Sequence, residues 1–465
     1  MAKKKKKEQG KNFFDDESFP DDIDLSSKKG NQAHSICKKI HKECRILANI
    51  KEGCLYIYEP KKGYYARWGR NDFPSWLYDT LMDTEFEKIL NSHLVREVYS
   101  KLLATTEQVS IEDFDQNERY VNVLNGVADL KNKKLLPHHH KFKFLNIING
   151  KYKPKKKEKP KKKDEPKNFL KMLDHIFNEK EDKKLFLETF AYLISNICSA
   201  KVCFFYLGAP HTGKSVLFKL LTELIGRDFV STLPIEKFSE RFAITTLYGK
   251  KVNICGEHEG ARKLNHTSVL KGLIGGDWLD AEPKGKPHFK FKARTKCVFA
   301  SNSLLEVNPK IIEDALIDRF IFVGFDNPID KESRIANFDQ ILLKERDDIV
   351  TLLIETLIDW RANGETFTQT KQSKKLLKQF KNQKGSVDDF VNDCCDFSED
   401  SSTSCAELSQ SYAEYCEINC MERLSNVCFI KDLVKLYPGL KKKKIHKTGQ
   451  NALWGVKGIK LKSKK

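Results

Sequence analysis

Apolar residues along this chain change their spacing several times, and the changes predict its elements. Phe169, Leu173, Ile176 and Phe177, then Leu185, Leu187, Phe190 and Leu193, recur at helical intervals within 168–198. Val202–Leu207 (VCFFYL) is instead a continuous run of β-branched and aromatic residues, the pattern of a buried strand. Val216–Gly226 returns to helical spacing and stops on glycine. Three further apolar runs predict strands: KVNICGEHE (Lys251–Glu259), TKCVFASN (Thr295–Asn302) and ALIDRFIFVGF (Ala315–Phe325). Residues 331–383 read as helices, Asp347–Gly364 most plainly. Strands alternating with helices predict an α/β core.

The flanking regions follow other patterns. In 31–150, CLYIYEP (Cys54–Pro60) and KGYYARW (Lys62–Trp68) predict a hairpin of aromatic strands. A helix is expected near Glu85–Leu103, and Tyr120–Leu136 reads as two strands about an Asn125-Gly126 turn. Residues 1–30 are polar and expected to be disordered. Residues 151–167 form a Lys/Pro linker. The divisions expected are therefore a head (1–30), an N-terminal domain (31–150), the linker, a core with helical flanks (168–383) and a C-terminal module (384–465). In that module three short helical patterns precede a basic, glycine-turned hairpin, which suggests a winged helix.

Composition narrows the partners. Lys and Arg total 83 against 64 Asp and Glu, a net charge of +19, which favours a polyanion and nucleic acid first. Much of the excess sits in Lys3–Lys7 and Lys151–Lys167, where a solvated, flexible run is the plainer reading. Met1–Asn12 lacks the apolar stretch of a signal peptide, and no run is long enough to span a membrane. A reducing cytoplasm is expected, with the 13 cysteines acting as small hydrophobes. His34, Cys37, His41 and Cys44 share one helix face and cannot surround a zinc ion tetrahedrally. His138, His139 and His140 are consecutive and cannot all face one metal.

The chemistry centres on the loop between the VCFFYL strand and its helix. Gly208, Ala209, Pro210, His211, Thr212, Gly213, Lys214 and Ser215 match G-x-x-x-x-G-K-[ST], a phosphate-binding loop at a helix N-terminus. Lys214 is expected to reach the terminal phosphates of a nucleoside triphosphate and Ser215 to ligate Mg²⁺. Glu257, at the end of the Lys251–Glu259 run, can hold Mg²⁺ or orient the attacking water, with Glu259 behind it; an acid that merely ends a strand is the alternative. Asn302, at a strand tip, can sense the γ-phosphate, although Ser-Asn is also a common turn. Arg319 can act as an arginine finger or pair with Asp318 or Asp314. PKGKPHFKFKART predicts a basic hairpin whose Lys284, Lys286 and His288 could meet single-stranded nucleic acid, unless it is simply a solvated turn.

GAPHTGKS, VNICGEHE, LKGLIGGDWLDAEPKGK, VFASN and DRFIFVGF stand in the order found in superfamily 3 helicases of the AAA+ class. The chain resembles the C-terminal half of phage, plasmid and poxvirus-type primase–helicases. Tyr120–Phe142 is similar to the end of their accessory domain and Gly455–Lys462 to their terminal winged helix. The resemblance implies an AAA+ P-loop NTPase core, an α+β N-terminal accessory domain and a winged-helix module. It implies a homohexamer that uses ATP and Mg²⁺ to move 3′ to 5′ along single-stranded DNA during replication of a phage, plasmid or integrated element. By position, Lys214 and Ser215 take ATP and Mg²⁺, Glu257 is the catalytic acid, Asn302 the sensor and Arg319 the finger. Lys284, Lys286 and His288 fall in the pore hairpin, and the C-terminal module could hold duplex origin DNA. Many members carry two acids where this chain has Gly256 and Glu257, which leaves the Mg²⁺ shell to Ser215, water or Glu259. No paired carboxylates for a primase centre stand out: Asp113 and Asp115 lie in a polar stretch. An ATP-dependent origin-binding or loading factor with little unwinding is the alternative. A small-molecule kinase is the remaining class, disfavoured by the hairpin, the Asn and the Arg.

Overall fold

A computed structural model describes residues 32–154, 165–256, 267–285, 287–304, 314–381, 386–419, 423–445 and 452–462. The head 1–30, most of the Lys/Pro linker, Glu257, Glu259 and Lys286 lie outside the described residues. The chain divides between Lys157 and Glu158 into two compact units.

The first unit runs α1 (Gln32–Glu43), β1 (Ile46–Asn49), β2 (Cys54–Glu59), β3 (Tyr64–Gly69), α2 (Phe73–Leu81), α3 (Ser92–Thr105), β4 (Tyr120–Val123), β5 (Gly126–Asp129) and β6 (Lys134–Leu136). The aromatic hairpin forms as β2 and β3, and β1 extends it into an antiparallel sheet of order β1-β2-β3. Strand periodicity sorts the side chains. Ile46, Ala48, Leu55 and Ile57 pack against α1, α2 and α3. Leu47, Cys54, Tyr56 and Tyr65 lie with Phe114 in a second cluster. Tyr120–Leu136 makes three strands, not two, because the chain turns again after Asp129. Cys37 is buried on α1, its Sγ 3.8 Å from the Val98 carbonyl, and burial pushes its thiol up to about 11. His138 turns its Nε2 to the carbonyls of Val123 and Gly126, at 2.9 and 3.1 Å. Among the described residues no group of His, Cys, Asp and Glu is placed to hold a metal.

The second unit begins with α4 (Lys167–Ile176) and α5 (Lys180–Ile194). The Glu345 carboxylate accepts from the amides of Asn168 and Phe169, so a negative charge meets the start of α4. The central elements are β7 (Cys203–Leu207), α6 (Lys214–Ile225), β8 (Val230–Ser231), β9 (Val252–Cys255), α7 (Ser268–Gly275), β10 (Trp278–Ala281), β11 (Phe289–Lys292), β12 (Lys296–Ser301), α8 (Asp314–Ile317) and β13 (Phe320–Gly324). Five of the strands form a parallel sheet of order β13-β7-β12-β9-β8. The continuous apolar runs follow from burial on both faces. Tyr206 meets Phe186 of α5 and Phe218 of α6 on one face, each at 5.7 Å between ring centroids. Phe205 stacks on Phe299 at 5.6 Å on the other, in the cluster that holds Leu270, Leu273 and Ile274 of α7.

Helices α9 (Phe338–Lys344), α10 (Arg346–Ala362) and α11 (Lys371–Lys381) follow, and Trp360 of α10 is buried against Tyr192 and Phe367. The last segment is α12 (Ser386–Cys394), β14 (Cys395–Ser404), α13 (Cys405–Ile418), α14 (Asn426–Leu436), β15 (Lys441–Ile445) and β16 (Leu453–Leu461). Its strands pair antiparallel as β14-β16-β15 over a core that includes Phe390, Tyr412, Phe429 and Val456. Among the described residues no helix is long and apolar enough to cross a membrane.

Candidate functional site

In an open parallel sheet, ligands collect at the carboxyl ends of strands where the chain leaves neighbouring strands in opposite directions. Here that switch in direction falls between β7 and β12. After β7 the chain passes through α6 to the far edge strand β8; after β12 it crosses back to β13.

The loop Gly208–Ser215 leaves β7 at this point. Gly208 has φ +154°, and a Cβ there would run into the Phe325 carbonyl. Gly213 has φ +89° and precedes α6, where a Cβ would strike Met172 of α4. Both positions therefore require glycine. His211 also takes a positive φ, 65°, and its carbonyl accepts from Ile329 N at 2.9 Å. Among the described residues no backbone carbonyl takes the amide hydrogens of His211, Thr212 or Gly213. They precede a helix of 12 residues and form the kind of amide cluster that accepts phosphate oxygens.

Lys214 is buried, only 3% exposed. Its Nζ donates to the carbonyls of Gly208 (2.7 Å) and Ala209 (2.9 Å), to Thr212 Oγ1 (3.2 Å) and to Asn302 Oδ1 (3.4 Å). Thr212 Oγ1 in turn donates to the Ala209 carbonyl at 3.0 Å. The loop thus folds over its own lysine, with the polar acceptors a buried ammonium requires. Asn302 comes from the tip of β12, whose Ser301 pairs with Leu207 of β7. Sheet register brings Asn302 and Lys214 together across 88 residues of sequence. Ser215 stands exposed in the first turn of α6. These groups fit a triphosphate: free amides and a lysine for the phosphates, and a serine hydroxyl for the metal that accompanies them.

Of the other predicted residues, Arg319, Lys284 and His288 lie away from Lys214, and Glu257 and Lys286 fall outside the described residues. β9 carries its chain toward the same edge and ends at Cys255, just short of Glu257. Arg319 lies at the opposite edge of the sheet: its carbonyl accepts from Cys203 N at 2.9 Å, at the start of β7. Among the described residues its guanidinium makes no ion pair, with Asp318 or any other acid.

The basic hairpin forms as β10 and β11, paired Trp278↔Lys292 to Ala281↔Phe289. Leu279, Ala281 and Phe291 anchor it in the core, while Trp278 is 61% exposed. Lys284 is exposed in the turn at the tip. His288 Nε2 lies 3.4 Å from Glu282 Oε2. Sequence reasoning missed what holds this tip. Arg241 donates Nε and Nη2 to both Glu282 oxygens at 2.6 Å, and these bonds keep the Glu282 carboxyl below its usual range. No local pattern joins two residues 41 apart.

In the C-terminal segment, Lys441, Lys442, Lys443 and Lys444 of β15 are all exposed. Lys442 Nζ stands 5.4 Å over the ring of Trp454, itself 55% exposed on β16. Val427, Lys431 and Lys435 share an exposed face of α14 at helical spacing.

Comparison with known proteins adds two family matches. Residues 35–178 match the family described as D5 N terminal like, and residues 206–319 match a family of unknown function, DUF5906. The second match runs from the end of β7 through Arg319. No curated protein matches the chain. Solved structures with a similar course include an A-form apo structure of the NrS-1 C-terminal region, 13% identical, TM-score 0.49, covering 91% of this chain and 98% of that one. A second A-form apo structure of that region is 12% identical with the same TM-score and coverage. Another apo structure of it, 13% identical, also with TM-score 0.49, covers 93% of this chain and all of that one.

Proposed function

We propose that the chain is an ATP-driven DNA helicase of the superfamily 3 type, acting in replication of a phage, plasmid or integrated element. The observation that carries this reading is the closed Gly208–Ser215 loop, with Lys214 held between its own carbonyls and Asn302. A lysine, free amides and a polar strand tip at one crevice suit the γ-phosphate of ATP. The match of 35–178 to the D5 N terminal like family supports a place among primase–helicase relatives. Glu257 serves as the catalytic acid, Asn302 as sensor, and Ser215 with Glu257 or Glu259 as the Mg²⁺ side of the site. Arg319 completes the site of a neighbouring subunit in a homohexamer. The hairpin tip, with Lys284, Lys286 and His288, tracks single-stranded DNA 3′ to 5′.

One observation favours an added or alternative role in origin binding. The segment 386–462 has the helix–strand–helix–helix–strand–strand order of a winged helix, with a row of exposed lysines on β15. Duplex DNA is the partner that suits it. The deciding experiment measures ATP hydrolysis with and without single-stranded DNA, beside displacement of a strand from a tailed duplex. Stimulated hydrolysis with displacement supports the helicase; stimulation without displacement leaves the loader. Hydrolysis indifferent to DNA would remove both readings.

A further inference from the structure

The first unit carries a groove of about 630 Å³ that the ATP site does not use. Its walls are α2 and α3, and its rim is the turn after β3. Arg70 and Asn71 come from that turn, Tyr78 from α2, and Ser92 and Arg96 from α3. Ser92 and Arg96 are one helical turn apart and lie on one face. Arg70 and Arg96 are both exposed, and neither makes an ion pair among the described residues. No carboxylate lines the groove; Asp72, close by in sequence, lies outside its lining. Tyr78 is 42% exposed, a large ring that lines the same groove as the two guanidinium groups.

Each feature asks for the same kind of partner. Guanidinium forks match phosphate oxygens in two-pronged hydrogen bonds. An exposed tyrosine offers a face on which a base stacks without regard to sequence. The volume lies within the roughly 300–1,000 Å³ of binding clefts and admits a short run of nucleotides. An acidic peptide would satisfy the arginines but not the ring.

We propose that this groove binds the sugar–phosphate backbone of single-stranded DNA through Arg70 and Arg96, with a base on Tyr78. The first unit is then a second DNA contact, separate from the hairpin tip. This rests on the reading above that the chain works on single-stranded DNA.

The test uses the full chain and an oligothymidylate carrying 5-iododeoxyuridine, which crosslinks to stacked aromatic rings under light. A crosslink mapped by mass spectrometry to Tyr78 is expected. Arg70→Glu with Arg96→Glu should abolish it and weaken oligonucleotide affinity at least tenfold. The slope of log affinity against log salt should become shallower by about 1.4, from roughly 0.7 per lost phosphate contact. Arg70→Lys with Arg96→Lys keeps the charge but loses the two-pronged fork and should bind between parent and charge-reversed protein, and a parent-like thermal melt of the charge-reversed protein excludes misfolding as the cause. Basal ATP hydrolysis should be unchanged throughout. Crosslinks only at other residues, or affinity unaltered by charge reversal, overturn the groove and leave the helicase reading standing. Erasure of the crosslink by free thymidine monophosphate would reassign the groove to a mononucleotide and overturn the strand. A Tyr78 crosslink in a protein that hydrolyses no ATP would keep the groove and sink the helicase.

Discussion

Lys214→Ala tests the site most directly, because the lysine holds its own loop by hydrogen bonds and, on the proposed reading, also meets the phosphates of a nucleotide. Its Nζ bonds two carbonyls at 2.7 and 2.9 Å, with Thr212 and Asn302 further out. Hydrogen bonds of a charged donor contribute about 1.5–3 kcal/mol net. Desolvation of the ammonium opposes this, so the variant should lose about 2 kcal/mol. For domains of this order that is a fall in Tm on the order of 4 °C, small enough to leave the protein folded. With nucleotide the balance reverses. Saturating ATP at 100 times its Kd should stabilise the parent by about 2.7 kcal/mol and raise its Tm on the order of 5 °C. The variant should show almost none of this rise, and its hydrolysis should fall to background. Lys214→Arg should not rescue it, since a planar guanidinium does not fit where a 3%-exposed lysine meets loop carbonyls. Scanning fluorimetry with and without ATP and Mg²⁺, beside a phosphate-release assay, reads all of these effects. An equal nucleotide-dependent rise in parent and variant, with near-normal turnover, would refute the assignment.

Glu257→Gln should bind ATP but hydrolyse it about 10²–10⁴-fold more slowly, as for loss of a general base; if Glu259→Gln is the inactive variant instead, the acid is reassigned to Glu259. Arg319→Ala protein mixed with Lys214→Ala protein should recover part of the lost ATP hydrolysis through interfaces that combine an intact finger with an intact lysine, and no recovery in rings shown to exchange subunits would place Arg319 outside the neighbour's site. Burial pushes the imidazole of His140 down to about 4, aided by His139, Arg45 and Lys141. The unfolded chain therefore takes up this proton near pH 6.5 while the folded unit does not, so stability is full above that pH and lost as pH falls toward 4. His140→Gln should flatten the decline in a pH series of thermal melts, and an unaltered decline would assign it to other groups.

How much was legible depended on whether the forces are local. Val202–Leu207 could be read because burial on both faces of β7 demands an unbroken apolar run, and the loop's glycines because positive φ and close neighbours at 208 and 213 leave no room for a side chain. The helical spacing of 347–364 gave α10 for the same reason. β14 (CDFSEDSSTS) is polar, with no alternation to reveal it, and exists through its pairing with β16, Cys395↔Leu461 to Ser404↔Gly455. The bond from Asn302 to Lys214 and the clamp of Arg241 on Glu282 depend on sheet order and packing, which spacing does not encode. Lys296 is similar. In sequence it is one more cation of a basic stretch, yet it is buried, with Nζ donating to the Tyr192 and Ser195 carbonyls at 2.6 Å where α5 ends.

The sheet also constrains what one subunit can do alone. Arg319 meets Cys203 at the first residue of β7, and the Gly208–Ser215 loop begins after Leu207, the last. Four strand steps at about 3.3 Å put roughly 13 Å of strand between them before the loop adds more. That exceeds the reach of an arginine side chain, and the whole sheet lies between the two ends. Arg319 therefore cannot touch a γ-phosphate bound by its own loop. It either serves only the fold or, as proposed above, faces a second copy. On that reading the monomer binds ATP with Lys214 and Asn302 but hydrolyses it slowly, and turnover rises with protein concentration as rings form. Turnover per chain that stays constant as dilution takes rings to monomers, followed by light scattering, would contradict a site completed by a neighbour.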